Sequence, residues 1–204
     1  GADGLIEKGR ENLLLHSNSF EASSWTKSNS SVASGKNGYD GSSNAWLFTS
    51  NGGPLFQYIS LSGVVTYSVY AKANSGTGFL LRLDQSAQVK LEFNISTGAF
   101  ISGSNFIDYK STSVGNGWYR LSVTFLAASA QTAQFRITNG SGTNTSGSAF
   151  IQDSQLELGL VATAVIESGA TKGTAGILEQ TPRFDYSNGA SCPSLLLEPS
   201  RTNL

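Results

Sequence analysis

The sequence predicts an all-β fold of antiparallel strands, arranged as a sandwich or barrel. Three observations support this. Ser, Thr, Asn and Gly make up 85 of the 204 residues, whereas 27 are charged, a balance that suits short strands joined by turns. Apolar and polar residues alternate with a period of two through the middle of the chain, as in half-buried strands. These alternating runs recur at the roughly 8–12-residue spacing of sandwiches and barrels.

The N-terminal quarter of the chain alternates between short apolar runs and small polar residues. Residues 1–11 are charged and punctuated by Gly, and we predict an N-terminal arm there. Residues 28–44 are almost wholly Ser, Gly and Asn, which predicts a loop. The first strands are predicted at 12–15, 45–49 and 55–60.

The middle of the chain carries the clearest strand pattern. It predicts strands at 65–72, 79–84, 89–95, 106–109, 118–125, 133–138 and 148–158, and no stretch of it has a sustained helical period. Because side chains alternate sides along a strand, one set of residues should face a shared core. That set is Tyr67, Val69, Leu81, Leu91, Phe93, Tyr119, Leu121, Val123, Phe125, Phe135 and Ile137.

Residues 115–125 are the part of the sequence around which the rest is organised. Gly115-Asn116-Gly117 supplies positive φ at low cost and predicts a tight turn. In the strand that follows, Trp118 and Arg120 point away from the core face. A sheet face that carries a large aromatic ring and a guanidinium can hold a polar ligand by stacking and hydrogen bonds. The alternative is that Trp118 only packs against the end of the sandwich, as most large aromatic side chains do.

The other predicted strands add polar residues to this face. Aromatic rings that stack on sugars, with bidentate donors and acceptors for hydroxyl groups, are what glycan recognition requires. The alternative is a solvated face with ordinary cross-strand charge pairs. The candidate ligand residues are Tyr70, Arg82, Glu92, Trp118, Arg120, Gln134 and Arg136.

Several classes of function find no support in the composition. The formal net charge is −1 with no basic block, which argues against nucleic acid as a partner. No apolar run reaches membrane-spanning length. With one histidine, His16, there is no His-based metal cluster, and no nucleophile-elbow motif accompanies it. A glycosidase needs two carboxylates facing each other across a cleft. Asp84 and Glu92 could lie on neighbouring strands, but ion pairing on the sheet face explains them better. We therefore predict no enzymatic activity.

Beyond Leu158 the pattern changes. Residues 159–204 are rich in small residues, and Pro193 and Pro199 flank the triplet Leu195-Leu196-Leu197. Prolines keep a segment extended, and adjacent leucines of a strand cannot all face one surface. We predict a sandwich over residues 12–158 and an extended C-terminal arm over 159–204. The arm would dock on a partner chain or on the next module, or fold back over its own sandwich.

Several motifs resemble those of a known family. They lie at residues 66–73 (TYSVYAKA), 114–125 (VGNGWYRLSVTF) and 155–157 (QLE), and in the flanks at 2–7, 12–15, 182–186 and 192–204. Together they resemble the carbohydrate-binding-module-like domain found in fibre and appendage proteins of tailed bacteriophages. The resemblance covers nearly the whole chain.

The resemblance implies a jelly-roll β-sandwich on the virion surface, in a tail or head fibre. Its implied partners are host-surface carbohydrate, other virion proteins and copies of itself, most often in a trimer. It also implies one structural Ca²⁺, shared by Glu21 after the first strand and Asp153 on the last, although Ser154 replaces the second acidic residue that related modules often carry. Two alternatives stay open: a purely structural or decorating virion protein with no ligand, and an accessory domain of a glycan-cleaving enzyme.

Overall fold

The computed structural model describes residues 9–140, 143–175, 184–185 and 194–195. The chain divides into two compact units, residues 11–173 and residues 1–10 with 174–204. In the second of these, β13 pairs antiparallel with β14, with Phe184 opposite Leu195. The strands are β1 (Arg10–Asn12), β2 (Thr26–Lys27), β3 (Ser30–Lys36), β4 (Ala45–Asn51), β5 (Leu55–Ala73), β6 (Gly78–Asp84), β7 (Val89–Asn94), β8 (Ala99–Ser104), β9 (Asp108–Gly115), β10 (Trp118–Thr138), β11 (Ser146–Leu158), β12 (Gly173–Ala175), β13 (Phe184–Asp185) and β14 (Ser194–Leu195).

Two long strands organise the larger unit. β5 and β10 pair antiparallel from Trp118 opposite Lys72 to Phe135 opposite Leu55. The order across the sheet is β3-β4-β11-β5-β10-β6-β7-β8, with β2 beside β5 and β9 beside β10. Every pairing in it is antiparallel. This confirms the all-β antiparallel prediction.

The two ends of the long strands belong to different halves of the sandwich. In what we call the β11 half, residues 65–73 of β5 and 118–124 of β10 lie between β11 and β9. In the β6 half, the other ends of β5 and β10 pair with β2 and β6. Gly63, at φ 94°, lies between the two parts of β5, where a positive φ lets the strand turn from one half to the other.

The core lies between the halves. The Tyr67 ring, from the β11 half, stacks on Phe135, from the β6 half, with centroids 5.4 Å apart. All the predicted core residues are buried in this cluster except Tyr119, which is half-buried and packs against it. The alternation therefore identified the core correctly. Trp25, Phe20 and Leu14, from the loop before β2, close it from one side.

The structure differs from the predicted elements at several places. The predicted loop at 28–44 contains strand β3, in which residues 30–33 and 36 pair with β4. This edge strand forms although it is poor in apolar residues, because pairing uses backbone groups that every residue carries. Residues 13–15, predicted as strand, follow β1 without a strand of their own. The larger compact unit runs to Gly173, because residues 159–168 fold back over the β11 half, and the division into a sandwich over 12–158 and an arm over 159–204 stays a prediction. The Leu195–Leu197 triplet falls largely outside the described residues.

Candidate functional site

The candidate ligand residues lie on one face of β10 and its neighbours, the face away from the core. Because β10 passes through both halves, the structure separates them into two groups. Tyr70, Trp118 and Arg120 lie on the β11 half, and Arg82, Glu92, Gln134 and Arg136 lie on the β6 half.

Trp118 is a packing residue in this arrangement. Its side chain is 1% exposed and packs with Ala45 and Tyr70 in a small second cluster, which Val165 and Tyr39 border. The Tyr39 ring meets it edge-on with centroids 6.4 Å apart. Trp118 therefore packs inside the protein, as the alternative interpretation stated, and its ring does not face a ligand.

A segment at residues 159–168, the strap, covers part of this outer face. Strand hydroxyls donate to its carbonyl oxygens: Thr66 Oγ1 to Gly159 O at 2.9 Å, and Thr124 Oγ1 to Leu160 O at 3.1 Å. Arg120 Nη2 donates to Thr163 O at 2.5 Å. The polar side chains that the sequence placed toward solvent thus bind the backbone of the strap.

Buried side chains hold the far end of the strap. Asn12 Nδ2 donates to Ser154 O and Ile166 O, and its Oδ1 accepts from the amides of Leu14 and Leu156. One side chain therefore satisfies four buried backbone groups, which would otherwise carry a large desolvation cost.

The QLE motif at residues 155–157 also holds the strap in place. Gln155 Oε1 accepts from Ile166 N at 2.7 Å. The buried Glu157 carboxylate accepts from Thr163 N at 2.9 Å and from its hydroxyl at 2.6 Å. These motif residues therefore anchor the strap.

An aromatic and charged cluster lies where the strap meets the loop before β4. The Tyr39 ring stacks on Tyr70 at 3.7 Å with 6° between the planes, and the Arg120 guanidinium lies 5.4 Å from the Tyr70 centroid. Tyr39 Oη donates to Asp153 Oδ2 at 2.9 Å. Burial raises the pKa of Asp153 above its usual value, and the Tyr39 hydrogen bond opposes that rise only in part. Burial, and then the Asp153 charge, raise the pKa of Tyr39.

Between the strap and β9 the outer face opens into a pocket of about 370 Å³. This volume falls within the roughly 300–1,000 Å³ of ligand pockets. Arg120 lines it, and its Nε is buried without a hydrogen-bond partner, although most buried donors have one. The lining residues are Tyr70, Asp108, Tyr109, Lys110, Thr112, Val114, Arg120, Ser122, Thr124, Leu160, Val161 and Ala162.

The predicted residues of the β6 half form a separate polar network. Arg82 Nη2 lies 2.5 Å from Asp84 Oδ1, and Gln134 Nε2 donates to Asp84 Oδ2. Arg136 Nε donates to Gln134 Oε1 at 3.0 Å. Glu92 is 0% exposed and accepts from Thr138 Oγ1 and Ser102 Oγ. A buried Glu92 and an ion-paired Asp84 do not make a facing carboxylate pair.

Two groups of residues on the outer face were not predicted from the sequence. Asp108 and Lys110 line the pocket, but β9 shows little apolar alternation and was predicted only in part. Phe56 and Tyr58 face outward on the β6 half, and their alternation with Leu55 and Ile59 was a readable signal.

The two residues of the calcium prediction differ in their surroundings. Asp153 Oδ2 accepts from Tyr39 Oη, whereas Lys27 Nζ donates to the backbone oxygens of Glu21 and Ala22 at 2.9 and 3.3 Å and not to the Glu21 carboxylate. Among the described residues no three His, Cys, Asp or Glu side chains gather as a metal site. Two carboxylates supply few of the roughly six to eight oxygen ligands that a calcium ion takes, and a site at Glu21 and Asp153 stays a prediction.

Comparisons with known proteins add little to this description. No protein-family model matches the sequence, and no curated protein matches it. Among solved structures, 77% of the chain aligns with 30% of a Clostridium thermocellum xylanase 10B structure that comprises CBM22-1 and GH10 modules complexed with xylohexaose, at 15% identity and a TM-score of 0.40. In a second comparison, 81% of the chain aligns with 54% of the flagellar cap protein FliD of Escherichia coli, at 16% identity and a TM-score of 0.18. The chain thus spans about a third of the xylanase structure, and we transfer no residue role from either. No helix in the described residues is long and apolar enough to cross a membrane.

Proposed function

We propose that this chain is a non-catalytic carbohydrate-binding module, and that its ligand occupies the pocket between β9 and the strap. The observation that carries the proposal is the pocket itself, which lies on the outer face of β10 that the sequence singled out. Tyr70 and Arg120 line it, as do the exposed side chains of Asp108 and Lys110. The mixture offers charged donors and acceptors around a hydroxyl-rich floor, which suits a polyhydroxylated ligand.

The non-catalytic part of the proposal rests on the carboxylates. Asp84 is ion-paired with Arg82, and Glu92 is enclosed by the hydroxyls of Thr138 and Ser102. Neither is placed to act as a general acid opposite a second free carboxylate.

A glycan array of bacterial surface oligosaccharides and plant cell-wall oligosaccharides tests the proposal. Calorimetry with a sugar that binds would then compare Lys110→Ala and Asp108→Ala with the wild type. We expect affinity to fall by at least roughly tenfold, the loss of one hydrogen bond to a charged group. Lys172→Ala is the control, because it removes the same charge from an exposed residue outside the pocket.

An array without any signal would favour the alternative, a structural or decorating protein without a ligand. Equal affinities of Lys110→Ala, Asp108→Ala and Lys172→Ala would remove the pocket from the account even if the protein binds sugar.

The setting we propose is the surface of a virion, where the module would belong to a tail or head fibre and contact host-surface glycans. The support is the resemblance of the motifs at 66–73, 114–125 and 155–157 and in the flanks to those of fibre and appendage domains. We further propose a homotrimer, assembled with other virion proteins through residues 174–204, since the strap before them belongs to the sandwich. Sedimentation of the full chain tests the assembly. A monomer at micromolar concentration, unchanged by Leu196→Ser, would contradict it.

A further inference from the structure

The outer face of the β6 half carries an aromatic platform that the pocket does not include. Tyr58 is 74% exposed, and its ring meets that of Phe56 at 5.3 Å and 81°. Tyr58 lies opposite Thr132 and Phe56 opposite Gln134, so both rings share a face with the polar network of β10. A tyrosine this exposed contributes little to the core, and an open aromatic ring beside polar groups is typical of a binding surface.

Two guanidinium groups lie beside this platform. Arg82 is opposite Gln134 on β6, and Arg136 follows two residues along β10. Asp84 pairs with Arg82, whereas no carboxylate lies within ion-pairing distance of Arg136 in the part of the chain that the structure describes. Burial, and then the neighbouring Arg82 charge, lower the pKa of Arg136.

The local charge is therefore positive and only partly compensated. Arg82 and Arg136 share the single charge of Asp84, while Lys90 and Glu92 on β7 add one charge of each sign. Together these five side chains carry a net charge of +1, counting each at its usual charge. Two close guanidinium groups repel each other, and a bound anion would relieve that repulsion.

We infer that the face formed by Tyr58, Phe56, Arg82 and Arg136 is a second binding site, and that its ligand is a saccharide bearing a carboxylate, as in a uronic acid. One sugar ring of the ligand stacks on Tyr58, and the carboxylate of another ring takes the guanidinium donors of Arg136 and Arg82. A planar carboxylate matches the arginine fork in a bidentate geometry, and its single charge matches the balance of the site.

The dimensions of the face support an oligosaccharide rather than a single sugar. Tyr58 is on β5 and Arg82 is two strands away on β6, a separation of roughly 10 Å at the usual strand spacing. A ligand that reaches both groups therefore needs more than one ring. This site goes beyond the pocket, which lies on the other half of the sandwich, and each can fail without the other.

Calorimetry with trigalacturonic acid at low salt tests the inference, with neutral galactotriose as the matched ligand. We expect the acidic trisaccharide to bind at least roughly tenfold more tightly, the contribution of a charge-assisted hydrogen bond. Tyr58→Ala and Arg136→Gln should each weaken its binding by a similar factor, whereas Tyr58→Phe should retain it. Leu126→Ala is the control, because Leu126 is exposed but lies outside both sites.

Several results would overturn the inference. They are no binding of trigalacturonic acid, equal binding of the neutral trisaccharide, and unchanged binding by a folded Tyr58→Ala variant. Inorganic sulfate that binds as tightly as trigalacturonic acid would show a simple anion site and also contradict it. Lys110→Ala distinguishes failure of this second site from failure of the pocket. The substitution lies in the pocket and should leave the binding of trigalacturonic acid unchanged.

Discussion

The two ends of β10 present the same kind of side chain in two different environments. In the β11 half, Arg120 and Thr124 donate to carbonyl oxygens of the strap. In the β6 half, Gln134 and Arg136 bind neighbouring side chains, and the face beside them displays an exposed tyrosine. The alternation along the strand is identical, and what differs is whether another segment covers it.

A polar outer face can therefore serve in two ways. Where backbone covers it, its polar groups replace water as partners for the carbonyl and amide groups of the covering segment. Where no segment of the described chain covers it, side chains such as Arg82 and Arg136 stay partly exposed and can meet a ligand. The pocket beside the strap combines the two uses in the β11 half.

The largest expected effect is at Asn12, the residue that secures the covered half. Asn12→Ala strands four buried backbone groups, and we expect a loss of roughly 3–5 kcal/mol in the free energy of unfolding. Urea denaturation measures it, with the exposed Asn37→Ala as control. If Asn12→Ala unfolds like the wild type, the strap is held by something else and the contrast between the halves weakens.

A matched pair of glutamines sharpens the comparison. Gln155 and Gln134 are both buried on the outer face. Gln155 binds two backbone groups of the strap besides the side chains of Glu157 and Thr163, whereas the partners of Gln134 are side chains, among them Asp84 and Arg136. When the glutamine is removed, side-chain partners can rotate to hydrogen-bond with water, whereas the fixed backbone groups of the strap stay unsatisfied. We expect Gln155→Ala to cost roughly 2–3 kcal/mol and Gln134→Ala about 1 kcal/mol or less. Denaturation gives both values, and faster amide exchange at Ile166 should accompany only the first. Equal costs would contradict this account.

A smaller effect concerns pH. The pKa of Asp153 is raised in the folded state, chiefly by burial, above an ordinary value of 3.8. The folded state therefore binds the Asp153 proton more tightly than the unfolded state does. The stability that this proton contributes is fully present below pH 3.8 and is lost as the pH rises from there through the folded-state pKa. Asp153→Asn removes the titration, and Asn tolerates the positive φ of 50° at this position. We expect the Tm of the variant to rise relative to the wild type between acidic and neutral pH. Melting curves across that range that stay parallel for the two proteins would exclude it.

The smallest expected effect is that of chelation. A bound calcium ion would stabilise the folded state by mass action, so its removal would lower the Tm. Tyr39 Oη bonds one of the two Asp153 carboxylate oxygens, and among the described residues no third acidic side chain gathers with Asp153 and Glu21, so we expect EDTA to leave the Tm unchanged. A Tm lowered by EDTA and restored by calcium would instead support the sequence-based prediction, and Asp153→Ala should then abolish the difference.

Much of the fold could be predicted from the sequence because burial leaves a periodic signal. Val123 and Phe135 face the core, as their alternation indicated, and Gly115, Asn116 and Gly117 have the positive φ values expected of the turn. The candidate site was predicted less well, since periodicity says which side a residue faces and nothing about what lies over it. Trp118 is buried because Tyr39 and Val165 reach it from loops without any pattern.

The clamp at Asn12 also constrains the order in which the unit can form. Asn12 bonds to residues 142 and 154 positions further along the chain, so these bonds wait until nearly the whole unit has been synthesised. Until the strap is available, Asn12 and the outer groups of the β11 half must stay hydrated. Pairings of such long range also make folding slow. We therefore expect the β6 half, whose strands β6, β7 and β8 are close in sequence, to acquire protected amides first during refolding, with the strap last.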